Sequence, residues 1–191
     1  MTKSRMEAFS DGVLAIIITI MVLELRVPHG SDLAALLPVA PKFMSYVLSF
    51  ILLGIYWNNH HHLLQAIKQV DGRVLWANLH LLFWLSIVPF VTGWMGENAF
   101  TAWPVALYGL VQLFAAVAYF ILVRSLIHLH GRGSVLAAAV GRDFKGKVSL
   151  AIYGVAIPVA FLRSWIACGL YVLVAVLWLI PDRRIERTIT R

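Results

Sequence analysis

Arg5, Glu7, Ser10 and Asp11 stand at the threshold of an apolar run, and the run His60-His61-His62, with His80 further on, stands inside another. Histidines and carboxylates of this kind could ligate a metal or move a proton. Adjacent histidines on a helix point to different faces, so three in a row cannot converge on one ion as an i, i+4 pair does, and the acids needed for a di-iron cluster are missing. No metal site is therefore expected. The chain contains no nucleophile motif and no glycine-rich phosphate loop, so no catalytic residue and no cofactor are expected either. The one cysteine, Cys168, lies in an apolar stretch, which leaves no intrachain disulfide and matches no zinc spacing. Hydrogen bonding between helices, anchoring at an interface and the handling of ions remain as roles for these groups.

The elements that must hold them are set by composition. Of 191 residues, 61% are hydrophobic and 13% charged, more apolar surface than a water-soluble domain of this size can bury. The reading is one all-α integral membrane domain over residues 1–191. Taking roughly 20 apolar residues per crossing, six spans are predicted near 6–25, 42–66, 73–95, 102–127, 147–163 and 164–181. The last two are divided by a tight hairpin at Arg163-Ser164, because one continuous helix would leave Arg163 near mid-membrane. Val27-Pro28-His29-Gly30-Ser31 ends the first span, Asp71-Gly72 turns between the second and third, and Thr101 with Pro104 starts the fourth. Trp94, Trp103, Trp165 and Trp178 read as interfacial belt residues, and His128 and His130 as solvated.

The net charge of +7 forms no basic helix or stripe. Attraction to membrane lipid explains it better than nucleic acid, which is not expected as a partner. Of the 16 Lys and Arg residues, only Arg26, Lys42 and Arg163 fall on the side opposite the termini in a six-span arrangement. Both termini are thereby predicted to be cytoplasmic, in the cell inner (plasma) membrane. The first span starts positively, as a signal peptide does, but lacks a small-residue cleavage site and is expected to be retained.

At roughly 100° per residue, Ile16, Ile20 and Leu23 fall on one stripe of the first helix, with Phe9 further down and Thr19 on its flank. Asp11 lies about 180° from Ile20. The helix thus has a wholly apolar stripe and a charged corner. One reading turns the stripe to lipid or a neighbouring helix and leaves Arg5, Glu7 and Asp11 as cap and interfacial anchor.

A second reading follows from likeness. Arg5, Phe9, Ser10 and Asp11 form R-x-x-x-F-S-D, followed by "VLELRVP"; "YWNNHHHLLQAI" follows at 56–67 and "LWANLHLLFWLSIVPF" at 75–90. These motifs resemble the transmembrane protein 175 family of potassium channels, over roughly the first half of the chain. The resemblance implies a six-helix subunit with a central pore lined by the first helix. As this chain carries one repeat, it implies the bacterial type of homotetramer. In that family, apolar side chains of the first helix govern ion passage, and the matching positions are Ile16, Ile20 and Leu23. The resemblance also implies a polar network in which Arg5 and Asp11 hold the first helix to Trp57, His60, His61 and Asn78.

A Thr-Val-Gly-Tyr-Gly filter loop is absent from the sequence, and "FVTGWMG" at 90–96 is only a superficial echo at a span end. The expectation is a potassium-permeable, moderately selective cation channel with a hydrophobic gate on the first helix. Thr19 either offers a hydroxyl ring at that depth or bonds back to its own helix. Glu24 either concentrates cations at the pore mouth or pairs with Arg26. The alternatives are a proton-permeable channel or a small secondary transporter; a transporter would more often show inverted repeats and broken helices, and neither is visible.

Overall fold

The computed structural model describes residues 2–131, 133–141 and 143–179, and these are helical throughout apart from short connections. The elements are α1 (Lys3–Leu23), a 3-10 turn (Leu33–Val39), α2 (Ala40–Gln65), α3 (Gly72–Glu97), α4 (Ala102–His130), α5 (Val135–Val140), α6 (Phe144–Leu162) and α7 (Ser164–Leu179). Five of them are long and apolar enough to cross a membrane, and α7 is a shorter apolar helix of 16 residues.

Local chemistry explains the boundaries. Asp71 caps α3, its Oδ1 accepting from the Val74 N–H at 2.8 Å, and Asp143 does the same for α6 through the Gly146 N–H at 3.2 Å. Thr101 stands at the start of α4 without a side-chain capping bond. The helix from Phe144 breaks at Arg163, whose backbone is extended (φ −152°, ψ 95°), and α7 starts at the next residue. Two short elements lie outside the predicted spans: the 3-10 turn capped by Asp32, and α5 capped by Ser134. Residues 180 and 181, assigned to the last span, lie outside the described residues.

Side-chain contacts set the direction of the bundle. The Lys3 ammonium donates to the Ile67 carbonyl at 3.0 Å, and the Lys68 N–H donates to His130 Nε2 at 3.2 Å. The start of α1, the α2–α3 turn and the end of α4 therefore share one end. His130, expected to flank a loop as a solvated residue, is half-buried. It belongs to α4 and its ring ties two turns together, because its Nδ1 is also 3.0 Å from the Leu126 carbonyl. The opposite end holds the Lys42–Glu97 ion pair at 2.8 Å and the edge-on pair of Trp103 and Phe161. Among the basic residues used to orient the chain, Arg132, Arg142, Arg183, Arg184, Arg187 and Arg191 lie outside the described residues.

α3 and α4 each bury half of their apolar window, against 28% for α1 and 22% for α6, so they are the inner pair. Apolar side chains gain little by leaving lipid for protein, so close approach of small residues matters most here. Ala115 and Ala118 of α4, Ala156 and Ala160 of α6 and Ala167 of α7 are all buried. Gly109 of α4 receives the Tyr171 ring from α7, and the Tyr171 hydroxyl donates to the Val105 carbonyl at 2.9 Å. The Trp178 indole N–H donates to Ser149 Oγ at 2.8 Å, which makes α6 and α7 an antiparallel hairpin.

Candidate ion-conduction site

α1 packs against α2 and α3 along one side only. Met6, Ser10, Leu14, Ile17 and Met21 form its buried face, each no more than 4% exposed. The other face is open along its length: Phe9 is 49% exposed, Ile16 59%, Ile20 43% and Leu23 77%, with Gly12 and Thr19 between them. The Ile16–Ile20–Leu23 stripe therefore turns away from its own protomer. It is free to meet lipid, another copy of the chain, or a shared axis.

The Thr19 hydroxyl lies on this face but donates back to its own helix, 2.9 Å from the Ile16 carbonyl and 3.0 Å from that of Ala15. Its proton is taken, and its oxygen remains an acceptor. Glu24 is the exposed C-cap of α1, and among the described residues it makes no ion pair with Arg26.

The charged corner resolves into two separate connections. In the first, Trp57 of α2 donates its indole N–H to Asp11 Oδ1 at 3.1 Å. Trp57 also stacks on His61, whose Nε2 accepts from Gln65 at 2.8 Å and whose Nδ1 is 3.6 Å from Glu7. In the second, the Asn78 amide of α3 donates to Ser10 Oγ at 2.9 Å while its oxygen lies 2.8 Å from His60 Nε2, and Ser10 donates onward to the Met6 carbonyl at 2.8 Å. Since Asn78 Oδ1 can only accept, His60 carries its proton on Nε2, and its buried Nδ1 has no partner among the described residues.

The expected role of Arg5 in bonding to α2 and α3 is corrected by its position. Arg5 is exposed, and its side chain makes no bond to Trp57, His60, His61 or Asn78. Phe9 is likewise exposed and serves no bond in this network. The three adjacent histidines diverge: His60 turns inward to Asn78, His61 lies beside Trp57, and His62 is half-buried next to it. Among the described residues, no three His, Cys, Asp or Glu side chains gather as metal ligands.

The sequence reading missed a second polar group, deep between α2, α3 and α4. Ser49 Oγ lies 2.7 Å from Thr92 Oγ1 and 3.0 Å from the Tyr108 hydroxyl, and Gln112 is buried one turn beyond Tyr108. The available signal was polar spacing inside apolar helices, Ser45 with Ser49 and Tyr108 with Gln112, each pair four residues apart.

Residues 5–89 match the family described as "Endosomal/lysosomal potassium channel TMEM175". A potassium channel of Chryseobacterium sp. is 54% identical over 189 residues, covering 99% of this chain and 98% of the relative. The endosomal/lysosomal proton channel TMEM175 of Gallus gallus is 40% identical over 101 residues, 47% of this chain and 20% of that protein. Among solved structures, a lysosomal potassium-selective channel TMEM175 homolog from Chamaesiphon minutus matches with a TM-score of 0.80 and 26% identity, over 95% of this chain and 97% of that one.

Proposed function

Since this chain belongs to the TMEM175 family of ion channels, and so is a channel and not an enzyme, we propose that it is a potassium-permeable, moderately potassium-selective cation channel. Four copies, each crossing the membrane six times, surround a pore lined by α1. Ile16, Ile20 and Leu23 form its constriction, with Thr19 at the same depth and Glu24 at the mouth. The chain sits in the cell inner (plasma) membrane, in contact with lipid, with both termini in the cytoplasm.

One observation carries this reading: α1 buries one face in its protomer and leaves a continuous apolar face, Phe9 to Leu23, outside it. Around a fourfold axis that face encloses a tube. A narrow apolar tube cannot replace the hydrogen bonds that water or a hydrated ion gives up, so rings of branched side chains close it by dewetting. When the rings widen slightly, potassium passes more readily than sodium because it holds its water more weakly. The polar connections from Asp11 and Ser10 keep α1 in register against α2 and α3, and so keep the stripe aimed at the axis.

The purified protein, reconstituted without any coupling gradient, is expected to pass potassium in preference to sodium. Ile20→Asn and Leu23→Ser are expected to raise the conductance and erode that preference. Parental currents and ion ratios in both variants would remove α1 as the gate, and a flux that requires a co-substrate gradient would make the protein a transporter. Permeation by protons is a second reading, supported by the Gallus gallus relative, a proton channel.

A further inference from the structure

A cavity of about 50 Å³ lies inside the protomer among α2, α4, α6 and α7, apart from the outward face of α1. Much of its wall is aromatic: Tyr56 from α2, Tyr119 and Phe120 from α4, Tyr153 from α6 and Trp178 from α7. Asp143, just before α6, is the one charged side chain among the described residues that line it. Tyr56 and Tyr119 meet edge-on at 6.2 Å. The Trp178 N–H is engaged by Ser149 and the Tyr119 hydroxyl by the Asn59 carbonyl, so neither offers a free proton to an occupant.

Two local features hold the carboxylate in place. Asp143 Oδ1 caps α6 by accepting from the Gly146 N–H at 3.2 Å, which fixes the acid and leaves Oδ2 available. A Cβ on Gly146 would stand 2.6 Å from Asp143 Oδ1, so the glycine keeps room for the acid beside the cavity.

What the wall provides decides among occupants. At roughly 10–15 Å³ per water-sized group, the cavity admits about three to five such groups. Waters each need about two to four hydrogen bonds, which a wall made mostly of rings and aliphatic carbon cannot supply. A bare potassium ion needs a shell of oxygens, and the same wall lacks it. A fatty-acid carboxylate is opposed by Asp143. A methylated ammonium needs neither hydrogen bonds nor an oxygen shell, because the negative faces of aromatic rings attract it and a carboxylate balances its charge. Its nitrogen and methyl groups are also of the size that the cavity admits. Two of the rings already hold cations of the chain itself: the Arg124 guanidinium lies 4.9 Å from the Phe120 centroid, and the Lys145 ammonium 5.9 Å from that of Trp178. Neither of these cations lines the cavity.

We propose that each protomer binds the trimethylammonium group of a choline-like cation in this cavity, against Tyr56, Tyr119, Tyr153 and Trp178, with Asp143 as the counter-charge. The site lies outside the α1 pore and does not depend on what that pore passes.

Titration calorimetry of the full chain in maltoside detergent and sodium chloride tests the site. Choline is expected to bind saturably, and 3,3-dimethyl-1-butanol, its uncharged isostere, at least about tenfold more weakly. Asp143→Asn keeps a capping side chain but removes the charge, and is expected to weaken choline binding about tenfold. Tyr56→Leu removes a ring and is expected to weaken it by a similar factor, whereas Tyr56→Phe keeps the ring and is expected to change it by less than about twofold. Should Tyr56→Leu fail to fold, Asp143→Asn and the isostere still decide. Dihexanoylphosphatidylcholine below its micelle-forming concentration presents the same group on a lipid; tighter binding than choline assigns the site to a lipid headgroup, and weaker binding to a free solute. No saturable binding of choline or of the lipid, equal binding of the isostere, or an affinity unchanged in Asp143→Asn and Tyr56→Leu would each overturn the site.

Discussion

The outward face of α1 and the interior between α2, α3 and α4 reverse the polarity of a water-soluble protein. Phe9, Ile16, Ile20 and Leu23 are exposed, whereas Ser49, Thr92, Gln112 and Asn78 are buried. In a bilayer both choices are favourable, since an apolar stripe strands no hydrogen-bonding group outside its protomer and only the protein interior supplies hydrogen-bond partners at depth. The difference teaches what each region contributes: the outward stripe is an apolar surface offered beyond the protomer, and the interior is a set of hydrogen bonds that ties α2, α3 and α4 together.

The comparison breaks most readily where the buried polar side is damaged. Asn78→Leu removes the partner of both His60 and Ser10 and is expected to cost about 2–6 kcal/mol, at roughly 1–3 per stranded group. Thermal unfolding in detergent measures it, and a change indistinguishable from zero would mean that this interior tolerates unpaired groups. Gly109→Ala comes next. Its Cβ would meet the Tyr171 hydroxyl and ring, so repacking of α7 on α4 is expected to cost about 1–3 kcal/mol in the same assay.

Asp11→Ala sits at the boundary between the two regions. It removes a bond from the partly exposed Trp57, so within one protomer the loss is expected to be about 0.5–1.5 kcal/mol. Its larger consequence is expected in assembly: less tetramer on native gels, with the conductance of each surviving channel unchanged. Asp11→Asn is expected to retain the tetramer; loss of conductance with intact assembly would instead put Asp11 in the ion path. The smallest effect is expected on the outward face itself. The Thr19 proton is already bonded within α1, so Thr19→Val is expected to change the potassium-to-sodium ratio by less than about twofold.

Periodicity and apolar length were sufficient to identify the apolar helices and to group Ile16, Ile20 and Leu23 on one face. Both are local properties, fixed by helical geometry and by the need to satisfy every backbone group in hydrocarbon. The break at Arg163 was legible for the same reason, because a buried unpaired guanidinium is costly. The polar partners were not. Arg5 looked equivalent to Asp11, yet Asp11 meets Trp57 and Arg5 stays exposed. The links of Ser49 to Thr92 and Tyr108 span 43 and 59 residues, and only the packing of α2 against α3 and α4 decides which hydroxyls meet. An apolar surface is specified by residue type alone, whereas a hydrogen bond requires two particular atoms about 3 Å apart, and the tertiary structure supplies that distance.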